Sequence, residues 1–172
     1  MVTFLWAQDQ AGTIGQAGHL PWHLPDDLKF FKATTLGQLM LVGRTTYEGL
    51  PQRPLPGRTN LVLTRRHDYA APGAVMVHSV ADALTYATMH PGSELIVTGG
   101  AQVFTAFMPV VQTLLVTRIA GQFAGDVTMP PVPWVEFKRV SAKAVSGPTP
   151  ELAHVFEKWE RQTPVTLSLA EQ

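Results

Sequence analysis

Three short stretches of this 172-residue sequence carry residue types and spacings that can do chemistry. The first centres on Asp27, within Leu20-Pro21-Trp22-His23-Leu24-Pro25-Asp26-Asp27-Leu28. A proline followed by two acids predicts a helix start, and Gly37 predicts its end. On that helix Phe30 and Phe31 stand three and four residues beyond Asp27 and share its face. A carboxylate on an apolar face is costly unless something meets it. Acid pairs at helix starts ordinarily cap the helix or complement its dipole. Asp26 is the natural capper here, which leaves Asp27 to face inward.

The second stretch is Gly43-Arg44-Thr45-Thr46, between an apolar run and a helical segment. Amides and hydroxyls at a helix start suit a phosphate, and Arg44 adds charge, although an ordinary strand-to-helix turn reads the same way. The third is Gly99-Gly100-Ala101-Gln102, where two glycines let another backbone or a pyrophosphate come close. It lacks the GxGxxG pattern and its following acid. Two glycine-bearing helix starts after parallel strands suggest one extended phosphate ligand at the carboxyl ends of those strands. Arg65-Arg66-His67 reads as a solvated turn or as a clamp for one further phosphate.

Other chemistries fare worse. With no cysteine there is no thiol nucleophile, disulfide framework or thiolate metal site. The six histidines show no HExxH or tight ligand spacing, so no metal is expected. Ser79 and Ser93 lack a nucleophile-elbow context. Thirteen basic residues balance thirteen acidic ones, which argues against nucleic acid as a partner. With 45% hydrophobic and only 15% charged residues, the composition argues against disorder. No apolar run approaches a membrane span of ~20 residues, and Met1–Ala7 has no basic stretch of a secretory signal. A cytoplasmic protein without a membrane association is expected.

The elements that must position these residues follow from the patterning. Apolar strands are predicted at 2–7, 39–42, 59–64, 74–77, 95–98 and 114–119, with more polar ones near 137–141 and 154–159. Helices are predicted at 26–35, after Gly43, at 101–108 and from 80 to about 89, the last opened by the capping box Ser79-Val80-Ala81-Asp82. Gly12, Gly15 and Gly18 punctuate a loop, and Pro148 and Pro150 mark a turn. Apolar strands alternating with helices predict a mostly parallel α/β sheet covered on both faces, with an antiparallel C-terminal edge. One domain is expected over residues 1–162, with 163–172 as a loosely attached tail.

Taken in order, these stretches resemble dihydrofolate reductase of the bacterial type. The resemblance rests on Gly15 with Leu20–Leu28, on Phe31-Lys32, and on Val42-Gly43-Arg44-Thr45-Thr46-Tyr47-Glu48. It continues through Pro54-Leu55-Pro56-Gly57-Arg58-Thr59-Asn60, Val97-Thr98-Gly99-Gly100-Ala101, Thr117-Arg118-Ile119 and Gly125-Asp126, and spans Met1 to about Arg161. It implies a single-domain, eight-stranded, mostly parallel sheet flanked by four helices. It further implies NADPH-dependent reduction of 7,8-dihydrofolate to tetrahydrofolate, by hydride transfer to C6 and protonation of N5, in support of one-carbon metabolism and thymidylate synthesis.

The resemblance also implies roles. Asp27 takes the place of the family's buried acid on the pterin N3 and 2-amino group, with Thr117 holding its carboxylate. Trp22 orients a water, and Leu20 joins these two at the catalytic centre. Leu5, Trp6, Ala7, Leu28, Phe31 and Leu50 wall the pterin and benzoyl pocket, and Arg58 pairs with the glutamate α-carboxylate. For the cofactor, Arg44, Thr64, Arg65 and His78 surround the 2′-phosphate. Thr45, Thr46 and the turn Gly100-Ala101-Gln102-Val103 hold the pyrophosphate. Ala7, Ile14, Gly15, Leu20 and Thr98 meet the nicotinamide, and Gly43, Leu63, Gly99 and Phe104 complete the site. A cis peptide is expected at Gly99-Gly100.

Two departures stand out: Val127 where a Thr is common, expected to weaken the tie to the loop over the nicotinamide, and Thr98 where an apolar residue is usual. Antifolate inhibitors and a monomeric state are also expected. A same-fold reductase of an aminopyrimidine in riboflavin synthesis is disfavoured by Trp22 and Leu24-Pro25-Asp26-Asp27. A cofactor-binding module without chemistry is disfavoured by Asp27.

Overall fold

Unbroken apolar runs become the central strands of the computed structural model, which describes residues 1–165. Val2–Gln8 (β1) is buried along nearly its whole length, as a strand covered on both faces must be. Leu39–Gly43 (β3), Thr59–Leu63 (β4), Val75–Val77 (β5), Leu95–Val97 (β6) and Thr113–Ile119 (β7) lie parallel to it, directly or through neighbours. His154–Arg161 (β10) runs antiparallel to β7, and Phe137–Val145 (β9) antiparallel to β10. The order across the eight-stranded sheet is β5-β4-β3-β6-β1-β7-β10-β9. The expected architecture is therefore the observed one.

Alternation along the strands feeds two cores. Leu39, Leu41 and Leu61 point to one face with Phe4, Trp6, Phe104 and Phe107, while Met40, Val42 and Val62 point to the other with Tyr47 and Phe31. The helices cover these faces: Pro25–Thr35 (α1), Arg44–Glu48 (α2), Val80–Thr88 (α3) and Ala101–Phe107 (α4). In α3, Ser79 caps through its hydroxyl, which accepts from the Asp82 amide at 3.0 Å. The start of α1 corrects the sequence reading. Leu24 is the N-cap residue, without a side-chain bond, Pro25 opens the first turn, and Asp26 is exposed rather than capping. Proline's preset backbone makes the side-chain cap dispensable there.

Two features lay outside the expected elements. Thr13–Gly15 (β2), inside the glycine-punctuated loop, pairs with Val127–Thr128 (β8) as a small second sheet. Buried Asp9 organises its approach, accepting from the amides of Ala11, Thr13 and Phe123 at 2.8–2.9 Å. β9 also extends to Val145, beyond the expected Ser141, because an exposed edge strand need not alternate. Val165 donates its amide to Gln112 Oε1 at 3.1 Å, so the expected loose tail is tied at this point, and 166–172 lie outside the described residues. No helix among the described residues is long and apolar enough to cross a membrane.

Candidate active site

The carboxyl ends of β1, β3, β4, β5 and β6 open onto one cleft of about 1470 Å³. That is the edge where ligands settle in open α/β sheets. The volume exceeds the roughly 300–1,000 Å³ of a pocket for one small ligand, so the cleft has room for two.

One half centres on Asp27. It lies in the first turn of α1, and its Oδ1 accepts a 2.7 Å hydrogen bond from the hydroxyl of Thr117 on β7. Thr117 is placed by its register opposite Ala7 of β1. Burial pushes the Asp27 carboxyl above the ordinary aspartate value, while the Thr117 bond and the charge of His154 act in the opposite sense. Leu5, Trp6, Ala7, Leu28, Phe31 and Leu50 all line this half. Leu20 and Leu28 are each 49% exposed, apolar surface that a ligand would cover. Trp22 is buried against Phe123, and its indole N–H has no partner among the described residues. An open donor on the cleft wall suits a bridging water. Arg58 bonds the Pro56 carbonyl through Nε at 2.9 Å, and its guanidinium lies at the cleft edge.

The other half is built from glycines and cations. The Gly43 amide donates to the Gly99 carbonyl at 2.9 Å, and a Cβ on Gly43 would stand 2.9 Å from Val103 Cγ2. Gly99 has φ +128°, and its bond to Gly100 is cis, as expected. Thr45, Thr46, Gly100, Ala101, Gln102, Val103 and Phe104 border the same surface. Arg44 is held by Glu48 at 3.2 Å on the exposed side of α2. Buried Thr64 accepts from the Arg66 amide at 3.1 Å through Oγ1, and its carbonyl lies 2.8 Å from His78 Nδ1. Together with Leu63 and Arg65 these make a basic recess that fits a phosphate on a nucleotide ribose. Ile14, Gly15, Leu20 and Thr98 lie between the halves. Thr98 turns its hydroxyl to the Leu41 carbonyl at 3.4 Å. The Asp126 carboxylate accepts from the Ala17 amide at 3.2 Å and its own amide donates to the Gly15 carbonyl, so this loop contact is made through Asp126, beside Val127.

Every residue given a site role by the resemblance lines the cleft except Thr117, which is buried behind Asp27; Phe30 packs instead on Phe156, and His67 stacks on His78 outside the lining. Arg66, from the run read as a turn or a phosphate clamp, lines the cleft too, and Lys32, Gly49, Leu55 and Ser79 line it without having been assigned a role there. Lys32 was findable, since it follows Leu28 and Phe31 around the same side of α1. Gly49 was not: a Cβ there would sit 2.8 Å from the Gly18 carbonyl, a non-local approach with no local signal.

The sheet and its divided cleft define an α/β protein with adjoining sites for a nucleotide and for a small ligand met by one acid. The dihydrofolate reductase family model matches residues 1–161, and the chain belongs to that family. Dihydrofolate reductase of Enterococcus faecium is 34% identical over 167 residues, covering 96% of this chain and 99% of that protein. That of Mycobacterium tuberculosis is 40% identical over 135 residues, covering 76% and 80%. A solved structure, dihydrofolate reductase from Enterococcus faecalis complexed with NADP(H) and RAB-propyl, superposes with a TM-score of 0.87 at 39% identity. It covers 95% of this chain and 97% of that one.

Proposed function

We propose that the chain is an NADPH-dependent dihydrofolate reductase, converting 7,8-dihydrofolate to 5,6,7,8-tetrahydrofolate for one-carbon metabolism. The observation that carries this reading is the Asp27 carboxyl, bonded to Thr117 and set in apolar walls beside a basic, glycine-lined nucleotide recess. NADPH, when bound, supplies the hydride that reduces C6. The rest falls to the protein. Asp27 accepts hydrogen bonds from the pterin N3–H and 2-amino group, and Thr117 fixes the carboxylate that receives them. Burial raises the proton affinity of Asp27, the direction that suits a group supplying a proton toward N5. Trp22 offers its open N–H to a water beside the pterin. Leu5, Trp6, Ala7, Leu28, Phe31 and Leu50 exclude solvent, and Leu20 closes over the reacting faces. Arg58 meets the glutamate α-carboxylate. Arg44, Thr64, Arg65 and His78 meet the 2′-phosphate, Thr45, Thr46 and Gly100–Val103 the pyrophosphate, and Ile14, Gly15 and Thr98 the nicotinamide.

In this reading residues 1–162 form the reductase domain, 163–172 a tail, and the enzyme works as a cytoplasmic monomer inhibited by antifolates. The test is direct: dihydrofolate added to the protein and NADPH should cause loss of NADPH absorbance with equimolar tetrahydrofolate. Absence of dihydrofolate-dependent NADPH loss in folded protein overturns the reading.

A further inference from the structure

Asn60 is the second residue of β4 and is 1% exposed. In register opposite Met40 of β3, it turns its side chain to the sheet face of Met40 and Val62, into the apolar cluster that Leu55 and Phe31 join. A carboxamide there is costly unless its polar atoms are met. They are met by one short loop. Asn60 Oδ1 accepts from the Leu55 amide at 2.9 Å, and Nδ2 donates to the Leu55 carbonyl at 3.0 Å and to the Arg58 carbonyl at 3.1 Å. The Leu55 amide can only donate, which fixes the orientation of the carboxamide and commits both its hydrogens. Asn60 itself does not line the cleft, whereas Leu55 and Arg58 do.

The clasped loop in turn aims the arginine. Arg58 Nε donates to the Pro56 carbonyl at 2.9 Å, inside the span that Asn60 closes. With Nε so committed, the two terminal nitrogens are the pair left to fork onto a carboxylate. Gly57, between Pro56 and Arg58, turns the chain at φ +77°, and its carbonyl accepts from the Gly37 amide at 2.7 Å. The loop is therefore held from two sides, by the Asn60 carboxamide from the sheet and by the chain just beyond α1. An arginine on an unclasped loop would have to be ordered by its ligand, and binding would be weaker by that cost.

We propose that Asn60 is a positioning residue for substrate binding: its buried carboxamide holds the 55–58 loop so that the Arg58 guanidinium meets the α-carboxylate of the benzoylglutamate arm already aimed, with Leu55 beside that arm. The inference rests on the reductase reading above and extends its assignment of Arg58. The effect of Asn60 falls on the arm of the ligand and not on the reacting ring, because its side-chain bonds go to Leu55 and Arg58 rather than to the Asp27–Thr117 pair. An asparagine that only stabilised the start of β4 would affect every substrate alike.

The test compares kcat and KM for the parent, Asn60→Ser, Arg58→Gln and the double variant. Each is assayed with NADPH and either dihydrofolate or 6-methyl-7,8-dihydropterin, which lacks the benzoylglutamate arm. Asn60→Ser should raise the KM for dihydrofolate about tenfold, as for a partly lost charge-assisted contact, and lower kcat by less than about twofold. Its KM for the armless pterin should change by less than about twofold, and adding Asn60→Ser to Arg58→Gln should raise the dihydrofolate KM by less than about twofold more. A folded Asn60→Ser variant whose KM moves equally for both substrates, or not at all, overturns the inference and leaves the reductase reading standing. Additive effects in the double variant, or an Arg58→Gln variant with the parent KM for dihydrofolate, do the same. A folded parent with no dihydrofolate-dependent NADPH loss overturns both. Should Asn60→Ser not fold, the intact protein decides. Titration with p-aminobenzoylglutamate should shift the nuclear magnetic resonances of the Asn60 side-chain amide, and p-aminobenzoate should leave them in place. Equal shifts with the two, or none, contradict the proposal.

Discussion

Thr117 donates its hydroxyl hydrogen to Asp27 Oδ1 across 2.7 Å, joining a strand in the middle of the sheet to the first turn of a helix 90 residues earlier in the chain. The bond does two things at once. It fixes the direction of the one carboxylate in the apolar half of the cleft, and it offsets part of the burial that pushes this carboxyl upward.

Thr117→Val removes the donor while keeping the shape. The dihydrofolate KM should rise roughly tenfold, as expected for a bond to an ionised group worth about 1.5 kcal/mol. The alkaline fall of turnover should also move to higher pH, because the hydrogen bond favours the charged form. Steady-state kinetics across pH check both; unchanged KM and profile would mean that the bond does not reach the reaction.

The raised proton affinity of Asp27 is also a statement about stability. The folded state binds its proton more tightly than the unfolded state does, so stability is lost as pH rises from the ordinary aspartate value through the raised one. Asp27→Asn should therefore raise Tm by a few degrees above that window and leave it nearly unchanged below. Thermal unfolding at several pH values measures this, and a lower Tm for the Asn variant at neutral pH contradicts it.

Arg44 is held by an exposed pair with Glu48, the kind that contributes only about 0.3–0.5 kcal/mol along a helix. A 2′-phosphate should displace Glu48 easily. Replacing Arg44 and Arg65 by Ala should raise the KM for NADPH by about tenfold or more and change that for NADH little. Equal losses for the two cofactors would place the arginines elsewhere in the reaction.

A 2,4-diaminopyrimidine should bind as a ring-protonated cation, because Asp27 can accept two parallel bonds from the protonated nitrogen and the adjacent amino group. Binding then raises the ligand's ring pKa, and affinity should fall as pH rises above its free value. Calorimetric titrations in the parent and Asp27→Asn check this: the variant should lose most of the pH dependence. A parent affinity independent of pH would remove Asp27 from the pocket.

Much of this arrangement was legible in the residues. Fully apolar runs such as Val2–Ala7 and Leu95–Val97 announce strands buried on both faces, and Pro25-Asp26-Asp27 announces the helix that carries the acid. The glycines at 43, 99 and 100 mark where the chain approaches a ligand or itself. What stayed hidden is non-local or too short to have a period. The Thr117–Asp27 bond was expected only through the family resemblance, since nothing near Thr117 singles it out. β2 and β8 are three and two residues long, and the loops around them are ordered by the distant Asp9 carboxylate. Asn60 reads as any other strand residue until its partners are known.

The central claim is that Asp27 serves the reduction with its proton. Its most direct measurement is dihydrofolate-dependent loss of NADPH absorbance at pH 7 in the parent and in Asp27→Asn, with folding checked by circular dichroism. The parent should turn over and the folded variant should be slower by about 10²–10⁴-fold, regaining some activity at low pH where solvent supplies the proton. A folded Asn variant with near-parent turnover at pH 7 would contradict the account.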